Sequence, residues 1–143
     1  MKTLQAPFSH ILLFEINPYQ PDGVVIQSFK PASDLDNSTF YVECIVIGQT
    51  DDKLIRDSYS SKMYIHFTKE TEKEMPRLIG TPIVFDNLKD RNLDNLYADI
   101  DPESKDGISI LVHSKLNVKT IWTISGTITA TGNDVSSLVK LAK

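Results

Sequence analysis

Between Gly23 and Gln49 the sequence reads GVVIQSFKP, then ASDLDNST, then FYVECIVIGQ. Residues 23–31 and 40–49 are rich in β-branched and aromatic side chains. The stretch between them is rich in Asp, Asn and Ser, which satisfy turn backbone with their own oxygens. The pattern predicts a long β-hairpin with further strands laid against it. In the second run Phe40, Val42, Cys44 and Val46 share one parity and Tyr41, Glu43, Ile45 and Ile47 the other. Both faces are largely apolar, so this strand is expected at the centre of the fold with core on both sides.

The remaining chain supplies the partners. Residues 1–20 form a lead-in whose run Ile11, Leu12, Leu13, Phe14 and Ile16 ends at Asn17-Pro18, readable as a helical turn or as an extra strand. Residues 63–67 alternate Met63, Ile65 and Phe67 against Tyr64 and His66, a third strand. TKETEKEMP reads as a short helix, because Thr71 and Glu74 have capping-box spacing and Pro76 stops it. Residues 81–88 form a fourth strand with Pro82 at its start. Residues 96–100 and 107–112 flank an Asp- and Pro-rich tip and predict a hairpin. Residues 120–130 place Trp122, Ile124 and Ile128 on one face and hydroxyl side chains on the other. At residues 133–143, Asn133-Asp134 can cap a helix with Val135, Leu138, Val139 and Ala142 as its apolar stripe.

The 143 residues fit one domain with a real core, placed at about residues 21–130. With 15 basic and 19 acidic residues the net charge is −4, so the overall field repels phosphate and nucleic-acid binding would need a local basic patch. The single cysteine, Cys44, allows no internal disulfide and reads as a buried apolar group. No run has membrane-spanning length. The element order fits either a β-sandwich or a small closed barrel. A five-stranded Greek-key barrel of the OB type carries its helix between the third and fourth strands, where TKETEKEMP falls.

No catalytic constellation is legible. His10, His66 and His113 are scattered and have no zinc-ligand spacing with Cys44, and no phosphate-binding glycine loop is present. Asp99, Asp101, Glu103 and Asp106 cluster without EF-hand spacing and read first as a solvated hairpin tip. A metal-dependent hydrolase built on them ranks last among the function classes, and neither cofactor nor metal is expected. What remains are aromatics and cations: Phe29, Lys30, Lys62, Tyr64, Phe67, Lys69, Lys89, Arg91 and Tyr97. Such residues hold single-stranded nucleic acid, bases stacking on rings while cations track phosphates. The competing expectation is that Phe29 and Phe67 are core, since Phe67 shares parity with Met63 and Ile65, and that the lysines are solvated.

Several segments resemble the N-terminal OB domain of protection-of-telomeres proteins and of the ciliate telomere end-binding α subunit. GVVIQSFKP resembles that family's first strand, FYVECIVIGQTD its second, and IWTISG its closing strand. MYIHF followed by EMPRLIGTPIVF resembles the third strand and the lead into the fourth, with Thr81-Pro82 where the family has Asp-Ile. The likeness spans residues 23–126. It implies a mainly β, five-stranded OB barrel with a short helix between strands 3 and 4 and a C-terminal helix. It also implies binding of single-stranded, G-rich telomeric DNA at chromosome ends in the nucleus. On that resemblance Phe29 and Lys30 end the first strand in the groove, Phe67 is a stacking platform and Tyr97 a further contact. Tyr64, Lys69, Lys89 and Arg91 complete the expected DNA-binding set. Asp34, Asp36 and Asp86 depart from the family's cationic pattern, and each carboxylate repels a phosphate. The alternative is an OB domain that docks other telomere or replication proteins through its barrel face or through the 135–142 stripe.

Overall fold

Alternating apolar residues of high β propensity make strands of most of the chain. The computed structural model describes residues 2–15, 23–30, 38–69, 75–85, 95–105, 107–132 and 140–141. Its strands are β1 (Lys2–Glu15), β2 (Val24–Lys30), β3 (Ser38–Thr50), β4 (Ser58–Lys69), β5 (Arg77–Leu78), β6 (Ile83–Phe85), β7 (Leu96–Ser104), β8 (Gly107–Ser114), β9 (Lys119–Gly132) and β10 (Lys140–Leu141). They form two antiparallel sheets. The first is six-stranded in the order β1-β9-β3-β4-β5, with β6 also paired to β4; the second is four-stranded in the order β10-β2-β8-β7.

The mainly β class is therefore as expected, but the central hairpin is not. β2 pairs with β8 and β10, whereas β3 pairs with β4 and β9. The polar stretch between β2 and β3 thus carries the chain from one sheet to the other. Both strands present an apolar face, and either sheet can bury such a face, so local pattern does not select the partner. Among the described residues no strand pair links the two sheets. The lead-in is a full strand along the edge of the first sheet, and its Phe8 belongs to the core. The β7–β8 hairpin forms where expected, Leu96 opposite Ser114 and Ile100 opposite Ile110.

The described residues contain no helix. At the expected first helix, Thr68 and Lys69 end β4, and residues 70–74 lie outside the described residues. At the expected C-terminal helix, Lys140 and Leu141 instead pair with Lys30 and Phe29 as a strand; the rest of 133–143 lies outside the described residues. An open edge of β2 offers backbone partners that outweigh the propensity of so short a segment.

The core lies between the sheets and is built from alternate residues of both. The first sheet contributes Phe8, Phe40, Val42, Val46, Met63, Ile65, Phe67, Trp122, Ile124 and Ile128; the second contributes Ile26, Phe29, Leu96, Ile108, Ile110 and Val112. Phe29 joins them: its ring centroid is 5.5 Å from Phe8 and 6.1 Å from Phe67, which in turn stacks on Phe40 at 5.0 Å. Each such ring, removed from water, contributes about 1.5–3 kcal/mol. Trp122 is accommodated by Gly48 directly across the β3–β9 pair, where a Cβ would come within 2.5 Å of the indole.

Candidate binding face

The outer face of the first sheet departs from a solvated β surface. Strand β3 alternates strictly, with Phe40, Val42, Cys44 and Val46 buried and Tyr41, Glu43, Ile45 and Ile47 turned outward. The expectation of core on both sides of this strand is thereby corrected: Ile45 is 42% exposed and Ile47 46%. Register extends the same face across two more strands. Tyr41 lies opposite His66, Glu43 opposite Tyr64 and Ile45 opposite Lys62; beyond them Tyr64 lies opposite Ile83 and Lys62 opposite Phe85. Directly opposed residues of an antiparallel pair share a face. The result is a platform of Tyr41, Tyr64, Phe85, Ile45, Ile47 and Ile83 that includes the cation Lys62 and the anion Glu43, with Arg77, opposite Thr68, at its end.

The rings are mutually ordered. Tyr41 and Tyr64 lie 6.4 Å apart in a stacked arrangement, Tyr64 meets Phe85 edge-on at 6.2 Å, and Tyr41 meets His66 edge-on at 6.3 Å. Between Tyr41, Tyr64, His66, Ile79, Ile83 and Phe85 runs an open groove of about 410 Å³. The Lys62 ammonium sits 5.4 Å from the Tyr64 ring centroid, a cation–π geometry. Hydrogen bonding with Tyr64 holds that ammonium above the ordinary lysine value. Partial burial and then the Glu43 charge push the Tyr41 hydroxyl up as well. On β9 the face changes character, carrying the hydroxyls of Thr123, Ser125, Thr127 and Thr129, and beyond them on β1 Ile11 stands exposed opposite Thr123.

The eight expected DNA-binding residues do not converge. Tyr64 stands on the platform. Phe29 and Phe67 are fully buried in the core, so neither has a free face for a base; the competing core expectation holds for both. Lys69 is buried at the end of β4, and Lys30 is exposed at the end of the other sheet's β2. Tyr97 lies on the second sheet, and Lys89 and Arg91 fall outside the described residues. Tyr41, Ile83 and Phe85 were missed. The signal that could have found Tyr41 is the second apolar parity of β3, which is consistent with an exposed sticky face as well as with double burial; Ile83 and Phe85 reach the face only through the pairing of β6 with β4.

Tyr97 belongs to a separate cluster. It stacks on His113 with centroids 4.4 Å apart and planes 4° from parallel, and His113 Nε2 lies 2.9 Å from Asp99 Oδ1. A histidine oriented by a carboxylate is part of a nucleophilic triad. Here, however, the ring fills the space a side chain at Gly23 would need, a Cβ there lying 2.5 Å from Cε1. Gly23 holds φ at +76°, so the position favours glycine twice over. The histidine is wedged between Gly23 and Tyr97 and ties β8 to β7. Asp101 accepts the Glu103 N–H at the hairpin tip, and no metal-binding group occurs among the described residues.

Fold and face together define, among the described residues, an antiparallel two-sheet domain with an open aromatic surface on its first sheet. No protein-family model matches the chain, and no curated protein is significantly similar to it.

Proposed function

We propose that the chain is a non-catalytic, two-sheet binding domain that docks a protein partner through the outer face of β3, β4 and β6. The observation that carries this reading is the composition of that face. A sheet with one side in water ordinarily turns polar residues outward, and contiguous apolar surface marks an interaction site. Aromatic residues at the centre with few charges are also the composition of protein interface cores. Photo-crosslinking in cells tests it. A photoreactive residue replacing Tyr64 or Phe85 is expected to yield protein adducts, while one replacing exposed Glu103 on the other sheet yields none. Absence of adducts from both face positions sinks the reading.

The stacked Tyr41–Tyr64 pair beside Lys62 supports a second reading, single-stranded nucleic acid, to which the OB barrel and the telomeric resemblance belong. Two observations weigh against it. Among the described residues this face carries the cations Lys62 and, opposite Thr68 at its end, Arg77, beside the Glu43 carboxylate, which gives limited purchase on a phosphate backbone, and placing β2 and β3 in different sheets suits a sandwich better than a five-stranded barrel. Fluorescence anisotropy with a labelled G-rich strand at two salt concentrations, against a scrambled strand, separates the readings. Salt-sensitive, G-selective binding lost in Tyr64→Ala would favour nucleic acid. The docking reading predicts no binding even at low salt.

A further inference from the structure

The layout of the platform identifies an occupant. We infer that its partner is a second copy of this chain, packed face to face about a two-fold axis lying in the interface; the inference rests on the docking reading above.

A two-fold interface brings one patch against itself, so the patch must be complementary to its own image: if residue i meets j, then j meets i. The β3–β4 register meets this condition. Glu43 opposite Tyr64 and Ile45 opposite Lys62 make a four-residue tile with Glu43 and Lys62 at diagonal corners. An axis through the other diagonal, Tyr64 and Ile45, exchanges the charged corners. Glu43 of each copy then lies over Lys62 of the other, and Tyr64 and Ile45 each meet their own counterpart. No like charges are opposed. The same rotation carries Tyr41, one step beyond Glu43 along β3, onto Phe85, which lies beside Lys62 on β6. Aromatic thus meets aromatic, with the groove between Tyr41, Tyr64 and Phe85 available to the opposing ring. Glu43 and Lys62 are both exposed in the single chain, and the bonds they make within it, Glu43 to Tyr41 and Lys62 to Tyr64, leave each with further acceptor or donor positions for an opposite charge.

The second sheet lacks this property. Its outer parity on β7 carries Asp99 and Asp101 in succession, and a two-fold axis there would set carboxylates close to carboxylates. Acidic residues on this edge strand also discourage pairing with another strand.

Charge reversal tests the pairing directly, because both side chains are exposed and neither belongs to the core. Sedimentation velocity on the full chain is expected to give a dimer. Glu43→Lys sets lysine against lysine twice, Lys62→Glu sets carboxylate against carboxylate twice, and each is expected to weaken the dimer at least roughly tenfold. The double variant restores opposite charges and should dimerise again. An equimolar mixture of the two single variants should form a mixed dimer, since each then presents the charge the other lacks. A wild-type monomer at every soluble concentration overturns the inference, as does a dimer indifferent to both reversals. If the chain is monomeric while positions 64 and 85 crosslink a different protein, the docking reading stands and the second copy falls. A monomer with no adduct from either position removes both.

Discussion

Phe29 of β2 and Phe67 of β4 meet between the two sheets with ring centroids 6.1 Å apart, and neither is exposed. The two side chains that a nucleic-acid groove would place against bases are thus the bridge between the layers. Their removal should be felt as lost stability. Phe29→Ala or Phe67→Ala is expected to cost about 3–5 kcal/mol in urea denaturation. Tyr64→Ala, on the open face, should lose only its cross-strand ring and cation contacts, about 1 kcal/mol. Equal losses at the three positions would contradict the assignment of core and face.

Gly48 makes room for Trp122, and a methyl group there would press on the indole at 2.5 Å. Gly48→Ala is therefore expected to destabilise by about 1–3 kcal/mol despite its better strand propensity. Near-ultraviolet circular dichroism should show the tryptophan signal altered in the folded variant. An unchanged midpoint and spectrum would mean that the indole does not lie on Gly48.

Cys44 faces the core, and burial pushes its thiol up to about 12. The thiolate is the reactive form, so iodoacetamide at pH 8 should leave the native protein unlabelled and modify it promptly in denaturant. Fast labelling of the folded chain would place Cys44 at the surface.

The loop after β3 is held by Asp52, whose Oδ2 accepts the Leu54 N–H at 2.9 Å and the Ile55 N–H at 2.7 Å. The Ile55 bond first and the Leu54 bond second hold this carboxyl below its ordinary 3.8. A depressed carboxyl stabilises the fold above the unfolded value, and that contribution is lost as pH falls through the folded value. The Leu54 and Ile55 amide resonances should therefore shift with a midpoint below 3.8, and Asp52→Asn should abolish the titration. A midpoint at or above 3.8 would mean that the bonds do not form in solution.

Much of the fold was legible one strand at a time. The alternation of β3, the parity of Met63, Ile65 and Phe67, the face shared by Trp122, Ile124 and Ile128, and the β7–β8 hairpin all follow from period-two patterning. Which strand lies beside which was not legible. β2 and β3 are neighbours in sequence, yet their partners are set by how the ten described strands divide between two layers. The open platform was hidden for a related reason. Tyr41, Ile45 and Ile47 carry the side chains of a buried face, and only the position of the second sheet decides that they meet water. Tyr64 was expected as a groove contact; its parity, opposite to that of the core residues Met63 and Ile65, turns it to the open face.

Strand β9 lies between β1 and β3, pairing Lys2 with Gly132 at one end and Glu15 with Lys119 at the other. β1 is thus synthesised well before the one described strand it pairs with. During translation the β3–β4 hairpin can close early, since its contacts are local, whereas β1 leaves the ribosome with no neighbour in its sheet. Stalled nascent chains are expected to remain protease-sensitive in β1 until Gly132 has emerged. For β1 alone the order of manufacture and the order of assembly part company, and it spends that interval as a bare strand that a chaperone would recognise.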